Sequence, residues 1–102
     1  MTNKISYDEY QKSTGEVFLL KDHDLNVRLT EVSPQKLSGL WESFSLVFRA
    51  EGDFSLEQST FLLKNDALGE IDLFLVPIGG SAEDASVRLY ESVFNRQIDR
   101  AE

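Results

Sequence analysis

Cysteine is absent from the 102-residue chain, and histidine, tryptophan and methionine each occur once. Without a thiol there is no disulfide, no thiolate metal site and no cysteine nucleophile, so stability rests on the apolar core alone. The single imidazole, His23, has no Gly-x-Ser-x-Gly elbow to serve, which excludes a recognisable nucleophilic triad. No Asp-x-Asp-x-Asp-Gly loop exists to cage calcium. Cations are scarce: 10 Lys and Arg against 18 Asp and Glu leave a net charge of −8. Acids spread along the chain repel a phosphate backbone, so nucleic acid is not an expected partner. No apolar run approaches the length of a membrane span, and residues 1–4 lack the apolar stretch of a signal peptide. The expectation is a cytoplasmic protein that neither crosses nor binds a membrane.

What is present suits a folded globule, with 41% hydrophobic and 11% aromatic residues. The length fits one domain over 1–102, large enough to bury roughly 65% of the surface of its unfolded chain. The longest apolar stretch, 69–80, is bracketed by glycines. It begins as an alternation of Glu70 and Asp72 against Ile71 and Leu73. It then turns apolar on both faces from Leu73 to Val76, as a central strand does when one end is covered on both sides. Pro77 cannot donate a ladder hydrogen bond, so regular pairing is expected to falter there.

Ser6 and Glu9 have capping-box spacing, which predicts a short helix over 6–13 stopped by Gly15. Residues 16–20 and 25–32 read as a hairpin around the polar turn at 21–24. Leu25, Val27 and Leu29 face inward there, and the alternation slips at Glu31-Val32. Residues 44–49 and 59–65 form two more strands, the first with Phe44, Leu46 and Phe48 on one face. A last strand runs over 86–94, and the tail from 96 is expected to fray. A turn at 50–53, a brief alternation at 54–57 and a glycine-rich loop at 79–85 complete the pattern. The stretch 33–42, broken by Pro34, Ser38 and Gly39, reads as a loop that carries Leu37, Leu40 and Trp41. The predicted fold is all-β: an antiparallel six-stranded meander forming a small barrel or tight sandwich, with one short N-terminal helix over an open end.

Few residues offer chemistry. His23 between Asp22 and Asp24 has metal-ligand types, but neighbours at a hairpin tip do not converge on one ion and nothing completes the set. Glu70 and Asp72 share a strand face, where an ion pair with Arg49 or Arg88 is the expected role. Arg49 could equally pair with Glu57 or Glu70. The 79–81 loop leads to a strand and has no lysine at P-loop spacing. No catalytic, cofactor-binding or metal residue is assigned, and the chain is expected not to be an enzyme. Trp41, with Leu37 and Leu40, is the candidate interaction site. Its tryptophan either lids one end of the core or stands exposed as an anchor for a partner. A small-ligand pocket at the barrel mouth, near Trp41, Tyr90 and Phe94, is the alternative.

The second half resembles a family of small uncharacterised bacterial proteins of about this length. The likeness is carried by Phe44-Ser45-Leu46-Val47-Phe48-Arg49, Leu56-Glu57-Gln58, Phe61-Leu62-Leu63, Leu68-Gly69, Leu73-Phe74-Leu75-Val76-Pro77-Ile78-Gly79 and Tyr90-Glu91-Ser92-Val93-Phe94-Asn95. Tyr10, Gly15 and Phe18 extend it loosely into the first half. The chain departs in Ala50-Glu51-Gly52, where the family often has glycine directly after the arginine, and in Asp22-His23-Asp24, where it often has an Asp-Gly turn. The resemblance implies no cofactor and no catalytic residue. The lack of catalytic motifs and the compact β scaffold with its Trp41 loop point to a structural or protein-interaction module that docks on a larger protein, and the resemblance associates it with a phage-tail-like assembly. A homo-oligomer is compatible with it.

Overall fold

The computed structural model describes residues 5–21, 23–51, 57–80 and 87–97. The elements expected at 50–53, 54–57, 79–85 and in the tail fall wholly or partly outside them. In chain order the elements are α1 (Tyr7–Lys12), β1 (Val17–Leu20), β2 (Leu25–Val32), β3 (Lys36–Ser38), β4 (Trp41–Glu51), β5 (Ser59–Asn65), β6 (Gly69–Gly80) and β7 (Val87–Gln97). The capping box forms as its spacing demands. The Ser6 hydroxyl accepts from the Glu9 amide at 3.1 Å, and the Glu9 carboxylate accepts from the Ser6 amide at 3.0 Å. Gly15, at φ +94°, lets the chain turn from α1 into β1.

All pairings are antiparallel, and they close a six-stranded barrel in the order β1, β2, β4, β7, β6, β5 and back to β1. The expected barrel is present, with one strand more than expected and an order that is not strictly sequential. The chain passes from β4 to β5, which are not neighbours. The slip read at Glu31 is a register shift between Leu29 and Glu31 opposite β4. A second shift, between Pro77 and Gly79, lets β6 continue past the proline to Gly80. Asn65 fixes the β5–β6 turn, its Oδ1 accepting from the Ala67 and Leu68 amides at 2.8 and 3.0 Å.

Alternation drives the packing. Val27 and Leu29 of β2, Phe44, Leu46 and Phe48 of β4, and Phe61 and Leu63 of β5 are buried in one core, while Arg28, Thr30, Arg49 and Lys64 are exposed. Phe18 meets Phe48 edge-on across the interior, 5.4 Å between centroids. A barrel this narrow is filled by its own side chains. The molecule is elongated, 48 by 26 by 23 Å, because β4 and β7 run on past the end of β2.

Candidate functional site at the projecting hairpin

The stretch expected to be a loop, 33–42, instead contains β3 and the first residues of β4. Ser38 pairs with Trp41, so Gly39 and Leu40 are the whole turn. Gly39 has φ +62° and Leu40 does not share a positive φ, the pattern of a II′ hairpin with glycine first. Any other residue at Gly39 would be strained. β2 leaves the edge of β4 at Leu46, and β3 takes it over from Ser43 to Trp41. On the other edge β7 accompanies β4 to Gln97 opposite Trp41. The result is a three-stranded tongue beyond the closed barrel.

The three expected anchors sit at its tip. Leu37 is 60% exposed, Leu40 50% and Trp41 52%. Register separates them, because directly opposed residues share a face. Leu37 lies opposite Glu42, on the face that runs into the barrel through Phe44 and Phe94; Trp41 lies opposite Ser38 and Gln97, on the outer face. Leu40 occupies the apex. Trp41 is half exposed and does not lid the core. The lid is α1. Tyr10 is fully buried against Phe94 and Phe44, with centroids 5.4 and 6.1 Å away, and Tyr7 meets Phe44 edge-on at 5.1 Å.

A charged clamp joins the tongue to the barrel. Arg96 of β7 donates from Nε to Glu42 Oε2 at 2.6 Å and from Nη2 to the Ile5 carbonyl at 2.8 Å. Gln35 Nε2 donates to the other oxygen of Glu42 at 2.5 Å. The guanidinium lies 5.4 and 5.1 Å from the Phe44 and Phe94 centroids, and those rings stack 4.7 Å apart at 6°. Glu42 is only 9% exposed, so its charge is tolerated because both oxygens are bonded. The clamp fixes β7, β4, the approach to β3 and the start of α1 against one another. Sequence reasoning missed it, since the partners are 54 residues apart and Arg96 was placed in a fraying tail rather than in β7.

The residues proposed for a ligand pocket do not meet. Tyr90 is buried, Phe94 lies under Tyr10, and Trp41 is on the outer face. A shallow concavity of about 630 Å³ lies on the outer wall, lined by Val17, Asn26, Arg28, Thr30 and Arg49 among others. Among the described residues no three histidines or carboxylates gather to hold a metal. His23 is exposed and packs 5.3 Å from Phe61; Asp22 lies outside the described residues. For Glu70 the expected arginine partner is corrected to Lys21, whose Nζ lies 2.7 Å from Oε2. That hydrogen bond, with the lysine charge, holds the Glu70 carboxyl below its ordinary range. Among the described residues no helix is long and apolar enough to cross a membrane.

These features define a small plugged β-barrel with a braced, apolar-tipped hairpin. The sequence places it further: the family described as "Domain of unknown function (DUF6916)" matches residues 5–94, and the chain belongs to that family. The match reaches from α1 into β7 and so takes in the plug, the barrel and the hairpin. No curated protein and no solved structure matches the chain.

Proposed function

We propose that this domain is a non-enzymatic protein-interaction module that docks on a larger protein through the β3–β4 hairpin. The observation that carries the reading is the tip itself: three large apolar side chains are half exposed or more on a tongue whose base is clamped by Glu42 and Arg96. Exposed apolar residues cost solubility unless a partner covers them, and a pre-ordered tip loses little entropy on binding. Because Leu37 and Trp41 occupy opposite faces, a cleft in the partner buries both, whereas a flat surface buries one. A phage-tail-like assembly is the setting implied by the sequence resemblance.

The test is affinity purification of the full chain from its native cells at low salt, run beside Trp41→Ala and Leu37→Ser. A stoichiometric larger protein that is lost with either substitution, while the melting temperature holds, supports docking into a cleft. A protein that co-purifies equally with all three chains, or a chain that purifies alone, overturns the reading.

A further inference from the structure

The barrel seam between β6 and β7 is zipped only at one end. Their pairing runs from Val76 opposite Glu91 to Gly80 opposite Arg88. Beyond it, among the described residues, 93–97 of β7 have β4 on one side and no strand on the other. Residues 69–74 of β6 likewise have, among the described residues, only β5. Among the described residues, no backbone hydrogen bond from a turn or loop reaches either half-edge. A free edge is a row of unmet donors and acceptors, and proteins ordinarily blunt it with proline, lysine, outward charge or a cover. The β6 half-edge carries Glu70 and Asp72 on its exposed face. The β7 half-edge carries no such guard. Its one ionised residue, Arg96, is turned onto the Phe44 and Phe94 rings and bonded to Glu42. The helix α1 reaches this end through Tyr10 on Phe94, a contact on the core side. Val93, at 68%, has the highest exposure among the large apolar residues described.

Charge narrows what can pair there. A chain of net charge −8 repels a second copy across most of its surface. The edge at 93–97 contains no acid, and its outer-face neighbours on β4, Trp41, Ser43 and Ser45, are uncharged. An antiparallel strand is also complementary to itself about a two-fold axis. Centred on Asn95, the register sets Val93 opposite Gln97 and Phe94 opposite Arg96 and stops short of Glu91, which β6 already pairs, so no like charges meet. We propose that the β7 edge, residues 93–97, pairs antiparallel with the same edge of a second copy. The two-fold dimer so formed has one sheet running β4–β7–β7–β4 and carries two hairpins.

Sedimentation equilibrium of the full chain tests this, because the hairpin reading does not depend on it. The expected result is a monomer–dimer equilibrium that Val93→Lys weakens by about tenfold or more. Trp41→Ala, which leaves the edge intact, should not shift it. The absence of cysteine provides a second readout. Mixed Val93→Cys and Gln97→Cys chains should oxidise to a cross-linked heterodimer, and faster than Val93→Cys does with itself. A chain that stays monomeric up to ~1 mM overturns the proposal. So does a dimer that Val93→Lys leaves intact, or one that Trp41→Ala dissolves.

Discussion

The closed body of the barrel and the projecting tongue use the same β4 and β7 in opposite ways. In the body, each strand is paired on both edges and the apolar residues face one interior. In the tongue, Trp41 faces out, a charged pair shares the other face with an exposed Leu37, and among the described residues one edge of β7 has no strand. The change occurs along single strands. On β4 the inward positions run Phe48, Leu46, Phe44 and then Glu42. The body holds the fold, and the tongue has the composition of a surface kept for something else. Substitutions at the two ends should therefore separate cleanly into effects on stability and effects on association.

The largest loss belongs to the body. Phe48→Ala removes a fully buried ring that packs on Phe18, and it should cost about 3–5 kcal/mol in urea denaturation. A loss no greater than that of an exposed-tip variant would break the division.

The clamp comes next, because it joins the two regions. Arg96→Ala strands the carboxylate of Glu42, whose side chain is 11% exposed, and strips a cation from two aromatic faces. A loss of about 2–3 kcal/mol is expected, less than for a fully dry pair because the arginine side chain is 25% exposed. Adding Glu42→Ala should recover part of it, and a double-mutant cycle measures how much. Strict additivity would show that the pair is decoration rather than a joint.

A smaller effect comes from the plug. Ser6→Ala removes the cap of a six-residue helix and should cost about 1 kcal/mol. It also carries a pH signature. The Glu9 carboxyl is held below the ordinary value of 4.5, first by the Ser6 backbone amide and then by the Ser6 hydroxyl. A lowered folded value means the contribution is present above the unfolded pKa and is lost as pH falls through the folded one. Glu70, lowered by Lys21, follows the same sign. Acid titrations of stability should flatten below pH 4.5 in Glu9→Gln and Glu70→Gln, with no change near neutrality in the slope itself.

The body was legible because its signals are local. The capping box, the alternation of 25–32 with its slip, and the strands at 59–65 and 69–80 all appear where periodicity and turn residues put them. The tongue was not, and the reason is physical. β3 is three exposed residues, so no buried face imposes a period on Lys36, Leu37 and Ser38. Its one sequence signal is Gly39 in first place of a two-residue turn, which Pro34 and Ser38 nearby disguise as a loop. Glu42 and Arg96 carry no local mark at all; only the register of β4 on β7 brings them together. Whether Trp41 faces the core or the solvent depends on that same register.

The smallest stability effect is expected at the residue on which the docking proposal most depends. Trp41 is half exposed on the outer face, beside Ser38 and Gln97, and belongs to no part of the buried core. Trp41→Ala should thus leave the free energy of unfolding within about 0.5 kcal/mol of the parent chain, as surface substitutions do. Leu37→Ser, on the opposite face, should be equally mild because Leu37 is 60% exposed and serine adds no charge opposite Glu42. If Trp41→Ala instead lowers stability by as much as Arg96→Ala, the indole is part of the clamp and the tongue is an extension of the core. If both tip variants are silent in folding, the fold does not require the apolar tip, which is what the docking proposal needs.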